Sequence, residues 1–366
     1  MTPATVGATP GRVRVARPGR VLDLARARLR RPGIDRDTAE AVLRRYGLGA
    51  SGRVENLPFG WRNRSVVVRT PRGRWVLKRY RDQWAIPTMV HEHSILRHLE
   101  AVGFPAVRVA STPDGETFVE TDRGRFALFG FEDGVNVAGY LLPRRRRLRL
   151  WGDAGRLLAR LHRDVEGFVP AGRHHLGFAG PGGERARDLT WHLRALEDLA
   201  HAPDPTTGGE AGDHARWLRG NAARLADRIV ALDRTLAEAP LARSVIHGDY
   251  GIHNLLVHRD GSLTLHDFEL ARLDWRLIDL VAVLSRISPR CGKAFLDGYD
   301  AVSGTSGEER RFLSEVWQHY RLCGAVGSWS TYARFGDERR LLTARRRVEE
   351  ADRIFREGIG AWVEPR

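Results

Sequence analysis

The residues best suited to chemistry lie close together in the C-terminal half of the chain. Asp249 follows a His-Gly pair, Asn254 comes five residues after it, and Asp267 comes thirteen residues after Asn254. One aspartate of such a set can orient and deprotonate a substrate hydroxyl, while the asparagine and the second aspartate offer the oxygen ligands that Mg²⁺ prefers. The three residues predict a phosphoryl-transfer centre that uses ATP and magnesium.

Two apolar runs separate Asn254 from Asp267. Residues 255–257 and 263–265 have the composition of short strands, and a glycine-containing turn joins them. Because a hairpin brings its two ends together, we expect Asn254 and Asp267 to meet at one metal ion.

The preceding part of the chain has the pattern of a small antiparallel sheet with helices. The strand-like runs are residues 54–57, 65–69, 75–78, 117–120 and 125–131. A capping box of Asp37 and Glu40 predicts a helix before the sheet, and His91 to Leu99 has helical spacing with Glu92 in its first turn.

Beyond a hinge expected at residues 132–134, apolar residues recur mainly at helical spacing. The predicted helices there cover residues 148–162, 277–287, 312–332 and 341–359. A small β lobe and a larger helical lobe together indicate an α+β chain.

This arrangement resembles the aminoglycoside phosphotransferase and choline kinase family of the kinase-like superfamily. The likeness covers residues 36–290, and its motifs are HGDYGIHNLL at 247–256 and HDFE at 266–269. It implies a two-lobed, protein-kinase-like fold with a small antiparallel β N-lobe at residues 34–131, which binds nucleotide. The larger, mostly helical C-lobe at residues 132–366 would carry catalysis and the acceptor.

The resemblance also implies a role for each candidate residue. Asp249 would be the catalytic base or hydroxyl-orienting group, and Asn254 and Asp267 would hold Mg²⁺. Lys78 would contact the phosphates of ATP, and Glu92, fourteen residues later on a helix, would hold it by an ion pair. Only two lysines accompany 58 arginines in this chain, which draws attention to Lys78.

The expected phosphate loop, residues 58–65, contains one glycine where protein kinases have three. Members of the resembled family are similar in having a glycine and an asparagine here, so Gly60 and Asn63 are candidate nucleotide-binding residues. Residues 126–131 would form the strand and linker whose backbone pairs with adenine; the alternative is a buried sheet strand.

The residues around the motif disfavour a protein substrate. Glu269 stands where protein kinases have the glycine of Asp-Phe-Gly, and Asp279 comes only twelve residues after Asp267, which leaves no room for a long activation segment. Asp279 is expected to brace the catalytic loop or to start a helix. His247 and His253 are expected to brace loop backbone and not to bind a metal.

The formal charge of +15 suggests nucleic acid, but its distribution points elsewhere. Residues 1–46 carry 11 arginines and four acids, and residues 1–33 are expected to be a disordered basic arm, with a transit peptide as the alternative. The four arginines at 144–147 are expected to form a solvated face. No specific nucleic-acid partner is expected.

Other classes of protein find little support. No run approaches the roughly 20 apolar residues of a membrane span, so we expect a cytoplasmic location and no membrane association. Cys291 and Cys323 are the only cysteines, which supports neither a disulfide framework nor a cysteine-based metal site.

The acceptor cannot be named from residues 165–240 and 300–366, which carry no interpretable motif. An aminoglycoside needs carboxylates for its ammonium groups. The candidates, which stand beside many arginines, are Asp188, Glu197, Asp198 and Asp213.

The sequence therefore predicts an ATP- and Mg-dependent phosphotransferase that acts on a hydroxyl group of a small molecule. An amino alcohol, a sugar, an aminoglycoside or another antibiotic-like metabolite all stay open as acceptor, as do GTP as donor, a resistance or metabolic role, and the oligomeric state. The alternatives are a catalytically silent kinase-like binding protein and a basic nucleic-acid-associated protein. A silent protein is disfavoured because none of the expected site residues has been lost.

Overall fold

The computed structural model of the chain describes residues 34–49, 53–56, 64–82, 84–137, 142–180, 183–202, 208–305 and 307–360. The predicted arm at residues 1–33 lies outside these residues, and so do Gly60 and Asn63 of the predicted phosphate loop. A small antiparallel sheet followed by a mostly helical part confirms the predicted α+β class.

The strands of the first sheet are β1 Arg53–Asn56, β2 Arg64–Thr70, β3 Gly73–Arg79, β4 Val119–Thr121 and β5 Gly124–Gly130. Their order is β1-β2-β3-β5-β4, and every neighbouring pair is antiparallel. Lys78 lies on the central strand, opposite Ser65 of β2 and Ala127 of β5. A strand paired on both edges is held rigidly, so the sheet fixes the position of the lysine.

The first helix, α1 Arg36–Arg45, begins earlier than predicted. Asp35 is its N-cap, and its carboxylate accepts a hydrogen bond from the Thr38 backbone N–H at 2.8 Å. The capping box predicted for Asp37 and Glu40 is therefore wrong. Glu40 instead pairs with Arg36, one helical turn away.

The second helix, α2 Ile86–Ala101, also begins before its predicted start at His91. Pro87 occupies the first turn, where its fixed φ suits a helix and its missing N–H is not needed. Glu92 consequently lies in the second turn and not in the first. It is buried there against the sheet that carries Lys78.

The remaining helices follow the predicted pattern with shifted ends. They are α3 Arg144–Asp164, α4 Leu189–His201, α5 Gly209–Gly220, α6 Ala222–Ala237, α7 Leu277–Leu284, α8 Pro289–Ser303, α9 Gly307–Arg310, α10 Leu313–Phe335 and α11 Arg339–Glu357. Residues 144–147 form the first turn of α3 and are exposed, as predicted for a solvated face.

Two groups of helices make up this part of the chain. Helix α3 packs against α8, and a side chain at Gly155 would collide with the Phe295 carbonyl, so this close contact requires the glycine. Helix α10 packs against α11, α6 and α4 in a second apolar cluster. In the part of the chain that the structure describes, no helix has the length and apolar character needed to cross a membrane.

Two small sheets hold the loops of the site. The first joins β6 Val135–Asn136, β8 Leu255–Val257 and β9 Leu263–Leu265, and the second joins β7 Arg243–Ile246 and β10 Arg272–Trp275. The predicted hairpin is thus present as β8 and β9, paired from Leu255 opposite Leu265 to Val257 opposite Leu263.

Candidate active site

The loop after β7 carries Asp249 and is fixed from below by Asp279. The backbone N–H groups of His247 and Gly248 donate to the two Asp279 carboxylate oxygens at 2.7 and 2.8 Å. Asp279 is fully buried and lies in the first turn of α7, so it fills both of its predicted roles. Gly248 has φ +78°, and a side chain there would meet the Leu270 carbonyl, so the loop requires glycine.

The carboxylate of Asp249 is held by two side chains. Arg286 Nη1 donates to Oδ1 at 2.9 Å, and His253 Nε2 lies 3.3 Å from Oδ2. Burial would raise the pKa of Asp249, but the hydrogen bond with His253 and the charge of Arg286 outweigh it and hold the pKa well below its ordinary value. The carboxylate is therefore ionised at neutral pH, and it remains 32% exposed.

The two histidines near Asp249 have different environments. His247 accepts from the Asp249 backbone N–H at 3.3 Å through Nδ1, and its Nε2 lies 3.0 Å from the His266 carbonyl to which it donates. His247 thus braces the loop backbone, as predicted. The same prediction is wrong for the His253 side chain, which is 40% exposed and contacts the Asp249 carboxylate.

The hairpin brings Asn254 and Asp267 to the base of this loop. The His266 backbone N–H donates to the Asn254 carbonyl at 3.0 Å, so the hairpin ends meet as predicted. Asn254 Nδ2 donates to the Asp249 carbonyl at 2.9 Å, which leaves its Oδ1 as the atom able to bind a cation. The side-chain amide thereby connects the loop of Asp249 to the hairpin.

Asp267 has the properties of a residue held for function. Its φ of 66° and ψ of 63° are left-handed, and no other described non-glycine residue has positive φ. Such strain persists where the surrounding structure enforces it, often at a ligand site. No described residue gives its carboxylate a hydrogen bond or an ion pair within 4.0 Å.

The donor set at this point suits Mg²⁺. Asn254 and Asp267 offer hard oxygen atoms, and Mg²⁺ usually takes one or two protein oxygens and completes its shell with water and phosphate oxygens. No cluster of three or more His, Cys, Asp or Glu side chains among the described residues forms a metal site without such help.

Lys78 lies in a buried cluster of opposite charges. Its Nζ is 3.1 Å from Glu92 Oε1 and 3.4 Å from Glu269 Oε2, and all three side chains are buried. Burial would lower the pKa of Lys78, but the charges of Glu92, Glu269 and Asp267 outweigh it and raise the pKa above its ordinary value. The ammonium is therefore permanently charged and lies near Asp267.

Three contributors to this site are absent from the sequence-based set. Glu269 is the second partner of Lys78. Tyr80 places its ring 4.7 Å from Lys78 Nζ, and its hydroxyl donates to Glu92 at 2.8 Å. Arg286 holds the Asp249 carboxylate. Strand alternation could have placed Tyr80 beside Lys78. Glu269 was noted only as a departure from Asp-Phe-Gly, and no local signal marks Arg286.

The structure describes only some of the residues that are predicted to contact the nucleotide. Gly60 and Asn63 lie outside the described residues. Strand β5 covers most of residues 126–131, and Phe126 and Leu128 point into the core, which agrees with the buried-strand alternative. Pairing of adenine with this backbone stays a prediction.

Comparison with known proteins places these features in a family. The model of the phosphotransferase enzyme family matches residues 53–315. The search of curated proteins gave no match. Among solved structures, a microcompartment-associated aminopropanol kinase has 17% identity and a TM-score of 0.63, over 88% of this chain and 98% of that one.

Two further solved structures have the same fold. A spectinomycin phosphotransferase in complex with ADP and spectinomycin has 15% identity and a TM-score of 0.58, over 87% of this chain and 94% of that one. The choline kinase of Streptococcus pneumoniae has 16% identity and a TM-score of 0.51, over 82% and 94%. The family match extends over more than half of the chain and confirms the predicted resemblance: this chain belongs to the phosphotransferase enzyme family.

Proposed function

We propose that this protein is an ATP- and Mg-dependent kinase that phosphorylates a hydroxyl group of a small molecule. The observation that carries the proposal is the joining of the Asp249 loop to the hairpin that bears Asn254 and Asp267. The Asn254 side chain bonds to the Asp249 backbone, so the general base and the cation ligands form one rigid unit. Phosphoryl transfer requires this proximity because catalysis there is mainly positioning and charge neutralisation.

The nucleotide would lie against the lobe that carries Lys78, which we assign to residues 34–131. Glu92 and Glu269 hold the Lys78 ammonium in place, so it can meet phosphate oxygens without losing much side-chain entropy. Gly60 and Asn63 would contribute to the phosphate loop. Support for nucleotide use comes from the shared fold of the spectinomycin phosphotransferase, which was solved with ADP.

Asn254 and Asp267 would hold the magnesium ion on the side of the site where the nucleotide binds. Bound there, Mg²⁺ would neutralise charge on the phosphates during transfer. The left-handed backbone of Asp267 aims a carboxylate that makes no hydrogen bond and no ion pair within 4.0 Å with another described residue. Asn254 keeps its oxygen available because its nitrogen is used by the Asp249 carbonyl.

Asp249 would receive the acceptor hydroxyl. Its carboxylate is ionised and partly exposed, so it can accept a hydrogen bond from the hydroxyl and take up its proton as the oxygen attacks phosphorus. Arg286 and His253 fix the orientation of the carboxylate. Residues 132–366 would thus supply both the base and the acceptor site.

A small acceptor fits the segment between the two aspartates of the site. Only a one-turn helix at Phe268–Leu270 and strand β10 separate Asp267 from Asp279, so no long segment is available to bind a polypeptide. The aminopropanol, spectinomycin and choline kinases that share the fold act on small molecules by their names. A cytoplasmic location would give such an enzyme access to ATP.

The test is ADP release from Mg-ATP with pooled amino alcohols, hydroxy acids, sugars, sugar phosphates and antibiotics, with Asp249→Asn run beside the wild type. Turnover with one pool that the variant loses supports the proposal. Turnover that the variant retains would remove Asp249 from its role. Failure of the wild type to bind Mg-ATP at all would refute the kinase assignment.

A further inference from the structure

Four arginines, which we call the arginine border, lie between the Asp249 loop and helices α10 and α11. They are Arg187, Arg272, Arg286 and Arg347. The chain uses arginine almost everywhere in place of lysine, so their number alone means little. Their placement and their partners carry the inference.

Arg272 and Arg187 form one side of the border. Arg272 donates to the Leu270 carbonyl at 3.0 Å and lies directly against Gly248, the neighbour of Asp249. Arg187 stacks over Trp191, with its guanidinium carbon 4.4 Å from the ring centre. Burial and the charge of Arg272 lower the pKa of Arg187, so the two cations lie close together.

Arg286 and Arg347 form the other side. Arg286 bonds to Asp249, and Arg347 on α11 donates to Ser328 Oγ at 3.0 Å and to the Gly324 carbonyl. Burial lowers the pKa of Arg347, and the nearby charges of Arg321 and Arg286 lower it further, while Tyr320 acts in the opposite direction. The border therefore continues from Asp249 to α11.

Helix α10 brings the two sides together through a pair of glycines. A side chain at Gly324 would lie 2.9 Å from Arg347 Nη1, and one at Gly327 would lie 3.3 Å from Arg187 Nη1. Positions three residues apart share one helix face. Arg187 and Arg347 therefore approach the same face of α10, one turn apart, where the missing side chains leave room for both.

The arginines of the border exceed the carboxylates near it. Asp249 is shared by Arg286 and His253, and Asp274 is shared by Arg272 and Arg185. A third carboxylate, Glu350 on α11, acts on Arg286 but is paired with Arg321. Among the described residues, no carboxylate lies within 4.0 Å of Arg187 or Arg347.

The carboxylates proposed for binding ammonium groups have other positions. Asp188 caps α4 by accepting from the Trp191 N–H, and Asp213 pairs with Arg216 on α5. Glu197 and Asp198 are exposed on α4. None of the four compensates the border in the structure. Arg187 stacks over Trp191 and Arg347 donates to Ser328 and Gly324, but neither half-buried guanidinium has a counter-charge among the described residues.

We propose that the acceptor of this kinase carries an anionic group, a carboxylate or a phosphate, which Arg187 and Arg347 bind while Asp249 receives its hydroxyl. The inference rests on the proposed function and narrows its substrate class. A guanidinium offers two parallel N–H donors that match the oxygens of either group. An amino alcohol or aminoglycoside would place its ammonium among cations and would be repelled.

The test is a calorimetric titration of the full chain, first with Mg-AMP-PNP and then, in the nucleotide-saturated protein, with four related diols. They are glycerate, glycerol 3-phosphate, glycerol and 3-amino-1,2-propanediol, compared at constant ionic strength. We expect saturable binding of an anionic diol at least about tenfold tighter than of the cationic one, the effect of one charge-assisted hydrogen bond. Whichever anion binds more tightly identifies carboxylate or phosphate as the group recognised.

Variants separate the border from general charge effects. Arg187→Gln and Arg347→Gln should each weaken anion binding about tenfold and leave the affinity for Mg-AMP-PNP unchanged. Arg187 has no hydrogen bond to another described residue, so its replacement spares the fold even if Arg347→Gln does not. Arg146→Gln, on the exposed first turn of α3, should change neither affinity.

The outcomes are distinct. Equal or tighter binding of the cationic diol, no saturable binding of either anion, or unchanged anion binding in both border variants would overturn the inference while leaving the kinase assignment intact. Absence of Mg-AMP-PNP binding in the first titration would instead refute the proposed function.

Discussion

The cluster of Lys78, Glu92 and Glu269 and the arginine border both contain buried or half-buried cations. Carboxylates outnumber cations in the Lys78 cluster, and cations outnumber carboxylates in the border. Lys78 is one cation between two carboxylates, and all three groups are buried and mutually satisfied. The border has four cations, and the carboxylates near it, Asp249, Asp274 and Glu350, each have a second partner outside the border. In the Lys78 cluster the protein itself compensates the positive charge, whereas the border retains positive charge that no carboxylate of the described residues compensates.

This difference indicates how each side would meet its ligand. A cation that is already paired and immobile can orient phosphates that magnesium also neutralises, so little is reorganised when nucleotide binds. Unpaired guanidinium groups instead gain their counter-charge from the ligand itself. Specificity for the acceptor would then come from charge, and catalysis from the prearranged nucleotide side.

The largest effect is expected for Asp267→Asn. Losing the anionic ligand should lower ADP release by about 10³-fold or more and raise the Mg²⁺ concentration needed for half-maximal rate. A magnesium titration of the initial rate measures both. The matched control is Asp260→Asn in the exposed turn of the same hairpin, whose carboxylate only accepts from Ser262. Equal losses in both variants would contradict a metal role for Asp267.

Lys78→Met should affect both activity and stability. The rate should fall about 10²- to 10³-fold, and the free energy of unfolding should drop by about 3–5 kcal/mol because Glu92 and Glu269 lose their buried cation. Adding Glu269→Gln should restore part of the stability and none of the activity. Urea unfolding and ADP release distinguish the two. Activity that recovers together with stability would show that Lys78 is only structural.

We expect His93 to make the free energy of unfolding depend on pH. Burial lowers its pKa to about 4, and both ring nitrogens are used, by Tyr80 at 2.9 Å and Thr117 at 2.8 Å. In the unfolded chain His93 takes up a proton near pH 6.5, whereas in the folded protein its imidazole stays neutral down to about pH 4. The free energy of unfolding therefore falls as the pH decreases from about 6.5 to 4, by up to about 3 kcal/mol.

Urea unfolding at several pH values tests this sign. His93→Gln should reduce the slope of unfolding free energy against pH by about one proton, while His201→Gln, at an exposed position, should not. Other buried histidines with lowered pKa contribute a background that both variants share. An unchanged slope in His93→Gln would mean that this imidazole titrates normally in the fold.

The smallest effect is expected at Arg286, the member of the border that bonds to Asp249. Arg286→Gln removes one charge-assisted hydrogen bond and should lower kcat by about tenfold with an unchanged KM for ATP. Arg286→Lys should recover part of the rate because it restores the charge. Steady-state kinetics of these two variants and of Arg290→Gln, an exposed neighbour, measure the effect. A raised KM for ATP would place Arg286 on the nucleotide side.

Local patterns predicted the parts of the fold that short-range chemistry decides. The hairpin of β8 and β9 was predicted from two apolar runs and a turn, and the structure pairs Leu255 with Leu265 as expected. Helix starts were less predictable because several residues can act as caps. Asp35 caps α1 in place of Asp37, and Pro87 lets α2 start before its apolar stripe.

The residues of the candidate site also fall into those that local sequence predicts and those that it does not. Asp249, Asn254 and Asp267 lie within one short stretch, so their spacing indicates their chemistry. The arginine border is assembled from α11, the turn after α7, β10 and the segment before α4, and nothing local distinguishes its members from the many other arginines of the chain. Only the packing of α10 against these elements brings them together.

The most direct test of the central claim, that the site binds nucleotide together with Mg²⁺ and that Asp249 acts only in the transfer step, is a calorimetric titration of AMP-PNP into the wild type and Asp249→Asn, with and without Mg²⁺. We expect both proteins to bind the nucleotide in a Mg-dependent manner with affinities within about threefold, because Asp249 acts in the transition state and not in nucleotide binding. Absence of Mg-dependent binding by the wild type would contradict the claim.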